Sequence, residues 1–300
     1  MSPVTAHLQV LAAAVLFSTG GAGIKVESFS AAQVSSVRSG IAAVALVAFA
    51  RGTLVWSPAT FGAGVVYAAM LTLFVTATKF TTAANAIFLQ STAPLYLLIL
   101  APWLLGERFH RRDLAYVAAV GAGMVLCFVG ESQASATAPR PALGNLLGAL
   151  SGVVWALTLL SLRYIGRDHA RDAGMTAVTA GNAFACLGAL PLAWPLPAAP
   201  LAEWGTLIYL GVFQIGLAYV FLTRAVRHLP ALEVSLLLLL EPVLNPVWTW
   251  LVRGEEPGGW TIAGGGAILA ATAAKTIYDG RRHRPQPSRL VSGRARGRTL

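Results

Sequence analysis

The sequence predicts an all-α polytopic membrane protein of ten transmembrane helices, arranged as two five-helix repeats inserted in opposite orientations. Three observations carry this prediction: composition, the spacing of apolar runs and an internal repeat. The chain is 56% hydrophobic and 11% charged, with a mean hydropathy of +0.66. Soluble domains carry roughly 25% charged residues, so a chain this poor in charge has too little polar surface to cover a water-exposed fold.

A bilayer core about 30 Å thick takes roughly 20 apolar residues per helix. Ten such runs follow one another at 7–24, 31–50, 61–78, 83–105, 113–130, 143–162, 174–194, 204–222, 230–252 and 258–278. They do not alternate with period two, which sets them apart from the short dyads of barrel strands. The opening MSPVTAHLQV has no positive n-region, so the first run reads as a permanent helix rather than a cleaved leader. Connections are short, except for a Ser-, Ala- and Pro-containing stretch from Glu131 to Ala142 and another from Pro195 to Glu203.

Orientation follows from the basic residues. With the N-terminus inside, the inner segments hold Arg51, Arg108, Arg111, Arg112, Arg163, Arg167, Arg171, Arg224 and Arg227, before the basic C-terminal end is counted. The outer segments hold Lys25, Lys79, Arg140 and Arg253. This asymmetry places both termini in the cytoplasm of a cell whose inner membrane the chain spans. The tail, DGRRHRPQPSRLVSGRARGRTL, has no apolar periodicity and cannot form a core. It reads as a disordered segment over 280–300 that meets anionic lipid, and the distribution of charge argues against a nucleic-acid partner. Cys127 and Cys186 lie inside apolar runs, with neither disulfide nor metal-site spacing.

The repeat is visible without gaps. AANAIFLQSTAPLYLLILAPWLLGE (83–107) aligns with ALEVSLLLLLEPVLNPVWTWLVRGE (231–255), which places Pro94 on Pro242 and Glu107 on Glu255. Upstream, AVLFSTGGAGIK aligns with GVVWALTLLSLR, placing Phe17 on Trp155 and Lys25 on Arg163. Five helices per copy is an odd number, so the second copy enters the membrane from the other side. The division falls at 1–135 and 136–279. Inverted repeats of this kind are a recurrent plan of secondary transporters.

On these residues the chain resembles the EamA-type transporters of the drug/metabolite transporter superfamily. The resemblance rests on the tandem five-helix repeats and on Arg38 early in the second run. It rests also on the Pro-to-Gly-Glu phrase ending runs four and nine, and on GVFQIGLAYVFLTRAVRHLPALEVSLLLLLEP (211–242). It covers roughly residues 7–278. It implies a ten-helix bundle around a central cavity, alternating access and export of a small metabolite, an amino acid or related organic compound. It leaves the substrate open.

The residues that could carry this chemistry begin with LLLLLEPVLNPVWTW (236–250), where Glu241 falls near the bilayer midplane. An ionised group there is costly and faces a cavity or a partner. Pro242 and Pro246 each lack an N–H and free a carbonyl one turn earlier, and with Pro94 they are candidate bending points. Asn245, four residues after Glu241, shares its helix face. Two readings stay open for Glu241: a proton or amine site, with proton antiport as the coupling, or a structural hydrogen bond. Its repeat partner is Ala93, so symmetry does not demand a carboxylate. Arg38 reads as a cavity cation for a carboxylate or phosphate, as a snorkelling residue, or as a salt-bridge partner. Gln90, Gln214 and Asn85 offer amides, and Phe17, Trp155 and Tyr219 offer rings. These suit a moderately polar or aromatic substrate, or else interhelical packing.

Enzyme readings lack support. No HExxH, GxSxG, P-loop or acidic metal motif occurs, and the aspartates fall at helix ends or in loops. No cofactor, metal or nucleotide is expected. The alternatives to a coupled exporter are an uncoupled facilitator of the same fold and, more distantly, a membrane-embedded enzyme or sensor.

Overall fold

The computed structural model describes residues 3–105, 113–130, 134–168, 173–225, 228–229, 234 and 237–282. Among them every regular element is helical. The helices are α1 (Pro3–Ser18), α2 (Gly20–Ile24), α3 (Ala31–Ala50), α4 (Pro58–Phe80), α5 (Ala83–Gln90), α6 (Ala93–Leu105) and α7 (Asp113–Gly130). They continue with α8 (Pro141–Asp168), α9 (Ala173–Ala193), α10 (Leu201–Tyr209), a π-helical turn over Leu210–Leu217, α11 (Ala218–Ala225), α12 (Leu240–Arg253) and α13 (Gly259–Arg282). Among the described residues, six stretches are long and apolar enough to cross a membrane: Val4–Ile24, Ala31–Ala50, Pro58–Phe80, Pro141–Leu162, Ala173–Ala193 and Leu201–Ala225. The chain is therefore a multi-pass membrane protein.

Sequence chemistry sets the helix ends. Ser30 opens α3 with a capping box: its Oγ accepts from Gln33 N–H at 3.3 Å, and Gln33 Oε1 accepts from Ser30 N–H at 2.8 Å. Ser57 and Thr60 repeat the device at α4, with Pro58 in the first turn where no N–H is needed. Arg51 (φ 48°) and Gly52 (φ 82°) reverse the chain between α3 and α4, and Gly254 (φ 65°) ends α12.

Packing crosses between the halves. α4 lies against α8 and α9, α3 against α9, and α7 against α13. Small residues permit this approach: a Cβ on Gly64 would stand 3.0 Å from the Gly181 backbone nitrogen, and one on Gly123 would stand 2.7 Å from Gly264 O. The Gly-rich pieces thus serve helix contact.

Three continuous helices expected from the sequence are interrupted, and a fourth changes hydrogen-bond register. The first run bends at Thr19, between α1 and α2. The fourth breaks at Ser91–Thr92, three residues before Pro94, whose missing N–H leaves the Gln90 carbonyl without its helical donor. Leu239 marks a turn three residues before Pro242, and α12 starts at Leu240. Both prolines therefore sit in the first turn of a new segment rather than inside a continuous helix. Pro246 remains within α12. In the eighth run, Leu210–Leu217 changes to π geometry, which has no sequence signature. The beginning of the ninth run, the connections holding Glu107, Arg108, Arg111, Arg112, Arg171 and Arg227, and the tail from 283 onward lie outside the described residues.

Candidate functional site

A cavity of about 420 Å³ lies inside the bundle. That volume lies within the range of small-molecule sites. Its wall draws on both halves of the chain: Phe17 from α1, Arg38 from α3, Tyr67, Met70, Leu71 and Phe74 from α4, and Gln90, Ser91 and Pro94 around the α5–α6 break. The second half supplies Trp155 from α8, Gln214 from the π turn, Tyr219 from α11, Glu241 and Pro242 from α12, and Thr272 and Thr276 from α13.

Arg38 is 2% exposed, and its Nε and Nη2 have no hydrogen-bond partner. Snorkelling is excluded by this burial. The salt-bridge reading also fails, because no ion pair joins Arg38 to Glu241 or to any other carboxylate among the described residues. Two buried tyrosines stand beside the guanidinium. Tyr67 and Tyr219 meet edge to face with ring centroids 5.8 Å apart, and Phe17 meets Tyr219 at 5.1 Å.

The amides differ among themselves. Gln214 Nε2 donates to Phe17 O at 3.3 Å, while its Oε1 is buried and unpaired. The π turn carries this side chain into the cavity wall, in keeping with the frequent placement of π-bulges at functional positions. Gln90 Nε2 lies 3.3 Å from Met70 Sδ, a weak acceptor. Both glutamines thus line the cavity with spare hydrogen-bonding capacity.

Asn85 does not. It is fully buried away from the cavity, with Nδ2 donating to Cys127 O at 3.0 Å and Asn145 Oδ1 at 3.1 Å. Thr81 Oγ1 donates to the same Asn145 oxygen at 2.6 Å, so this cluster ties α5, α7 and α8 together. Asn245 also departs from expectation. It is 1% exposed and packs against Gly21, where a Cβ would collide with Asn245 Oδ1. Glu241 faces the cavity, whereas Asn245, one turn on, faces α2, so the two do not form one lining stripe. Pro246 is likewise buried outside the cavity wall.

One end of the bundle is closed by charges. Lys25 and Glu255 are both buried, with Nζ 2.8 Å from Oε2, although that oxygen lies off the line of a hydrogen bond. Lys25 Nζ also donates to Thr81 O at 2.7 Å and to Thr137 O, and Glu255 Oε1 accepts from Ala83 N–H at 2.7 Å. Around this pair, Arg253 Nε donates to Ala22 O at 3.2 Å, Lys79 to Phe29 O at 2.6 Å and to Val26 O. Ser28 donates through N and Oγ to the Glu203 carboxylate at 3.0 and 3.1 Å. Residues counted from sequence as outer-loop charges thus form a cross-linked layer between the halves. The sequence also gave no sign of Tyr67, which stands in an apolar stretch without polar neighbours.

A second recess of about 490 Å³, walled by Ala43, Val44, Val47, Trp56, Phe61 and Phe184 among others, lies on the outer surface of the bundle. It lacks the polar groups that would orient a ligand.

The profile of the EamA-like transporter family matches residues 4–129 and 142–275. Over 196 residues the chain is 34% identical to the pseudopaline exporter CntI of Pseudomonas aeruginosa, in strain UCBPP-PA14 and equally in strain PAO1. The matched stretch is 64% of this chain and 65% of each relative, so it spans just under two thirds of those exporters. A solved crystal structure superposes with a TM-score of 0.62 at 20% identity, covering 94% of this chain and all of the other. That likeness speaks to fold alone.

Proposed function

The chain belongs to the EamA-like transporter family, and from that premise we propose that it is a secondary transporter exporting a small organic metabolite by proton antiport. The observation that carries the proposal is a central cavity walled by both halves, with Glu241 on its face and a charge-linked layer across one end. Such an arrangement suits alternating access: the cavity would exchange between the two sides as the Lys25–Glu255 layer parts and the opposite end closes. Glu241 is the proposed proton carrier, taking a proton from one side and releasing it to the other when substrate enters. The breaks before Pro94 and Pro242 supply bending points at matched places in the two halves.

The same reading assigns ten transmembrane helices in two inverted repeats, 1–135 and 136–279, in the inner membrane with both termini cytoplasmic. The two stretches matched by the family profile support the division, and the distribution of arginine supports the orientation. The basic tail over 280–300 is assigned to anionic lipid at the cytoplasmic surface. Named exporters among the relatives support outward movement.

The test uses inside-out membrane vesicles with a respiration-acidified lumen and a panel of labelled amino acids and related amines. Antiport predicts uptake of some panel member together with alkalinisation of the lumen, and loss of the alkalinisation in Glu241→Gln. Uptake that ignores an uncoupler would replace antiport by facilitated diffusion.

A further inference from the structure

The cavity wall holds one cation and one acid that are not paired with each other. Arg38 is buried with Nε and Nη2 unpartnered, and Glu241 lines the same cavity without an ion pair to Arg38. Tyr67 and Tyr219 line the same cavity and meet edge to face with ring centroids 5.8 Å apart. Gln214 adds a buried oxygen that lacks a donor. A guanidinium presents a planar fork of donors matched to a carboxylate, and buried charges without partners are costly unless something arrives to pair them.

Resting on the exporter reading above, we propose that the transported molecule is amphoteric: its carboxylate docks on Arg38 and its cationic nitrogen on Glu241. Arg38 is the only cation among the described lining residues, which favours a monoanionic carboxylate over a phosphate. The Gln214 oxygen is placed to accept from an N–H of the same molecule. The aromatic walls of Phe17, Trp155 and Tyr219 cover its apolar body. Docking of an ammonium on Glu241 displaces the proton held there toward the side from which the substrate came. Release on the far side frees the carboxylate to bind another proton, so substrate and proton compete for one group. That competition is the physical basis of exchange.

The experiment has two arms. In the first, cells producing the wild type, Arg38→Gln or Arg38→Lys at equal membrane levels are compared with empty-vector cells. The probe is the cells' own soluble metabolite pool, followed in medium and cytosol by mass spectrometry. The expected result is that compounds added to the medium by the wild type bear both a carboxylate and a basic nitrogen. Their export falls at least tenfold in Arg38→Gln and is partly retained in Arg38→Lys. In the second arm, the purified full-length proteins are melted without ligand. An anchor that stands unpaired in the empty protein predicts a Tm for Arg38→Gln equal to the wild type or a few degrees higher.

Exported compounds without a carboxylate, or carboxylates exported undiminished by Arg38→Gln, overturn the proposal while leaving the exporter reading intact. A Tm several degrees lower in Arg38→Gln assigns Arg38 to the scaffold and also overturns it. A wild type that adds nothing to the medium removes the exporter reading, and the proposal falls with it.

Discussion

The Lys25–Glu255 pair offers the sharpest perturbation of the closed end. In Glu255→Gln an amide oxygen remains to accept from Ala83 N–H, but the negative charge 2.8 Å from Lys25 Nζ is lost. Lys25 keeps the Thr81 and Thr137 carbonyls, so the cost lies below the roughly 3–5 kcal/mol of a buried ion pair stripped of one partner. It falls nearer the roughly 1.5–3 kcal/mol of a hydrogen bond to a charged group. Taking about 2 kcal/mol, and about 1.4 kcal/mol per factor of ten, the opening equilibrium at this end rises roughly thirtyfold. Hydrogen exchange read by mass spectrometry on the protein in nanodiscs reports that opening directly. The segments 20–30 and 79–85 are expected to exchange faster by about this factor in Glu255→Gln. The exposed neighbour Glu256→Gln is the control and leaves both unchanged. Exchange within twofold of the wild type in both segments would show that the pair does not hold the layer closed.

Asn85→Ala removes the donor to Cys127 O and Asn145 Oδ1 and is expected to destabilise the fold by about 1–3 kcal/mol. This is read as a lower Tm, without altering which compounds are exported; a changed substrate range at unchanged Tm would return Asn85 to the cavity. Gly21→Ala drives a methyl into Asn245 Oδ1 and, at 3.0 Å, toward the Ala83 side chain. Overpacking of this kind costs about 1–3 kcal/mol, so a Tm equal to the wild type would contradict the contact. Pro94→Ala and Pro242→Ala restore a donor near each break and are expected to slow transport at normal membrane levels. Full transport in both variants would dismiss the prolines as bending points.

The distribution of apolar runs is legible because the bilayer fixes helix length, and the repeat is legible because Pro94 and Pro242 keep register. Arg38, Gln90, Gln214 and Glu241 line one cavity, where groups costly in lipid escape it, and Phe17, Trp155 and Tyr219 share its wall. The same rule cannot separate cavity amides from packing amides. Asn85 escapes lipid as completely as Gln90 does, by hydrogen bonding to Asn145 rather than by facing the cavity. Asn245 shares the Glu241 face by spacing, yet α12 leaves the cavity behind within one turn and meets the close-packed Gly21. Tyr67 was invisible because nothing around it in sequence is polar. Its role beside Arg38 exists only once α3, α4 and α11 pack. Lys25 reads as an ordinary loop charge until α2 and α12 bring Glu255 to it. The π turn at Gln214 arises from local backbone register, which residue type does not encode.

The most direct measurement of the central claim is growth under a panel of toxic amino acids, analogues and drugs. It compares cells producing the wild type, Glu241→Gln or an empty vector, with membrane levels matched. Export through the cavity faced by Glu241 predicts that the wild type protects against one compound class and lowers its cytosolic level, while Glu241→Gln resembles the empty vector. Equal protection by wild type and Glu241→Gln would contradict the assignment of Glu241 as the exchanging group.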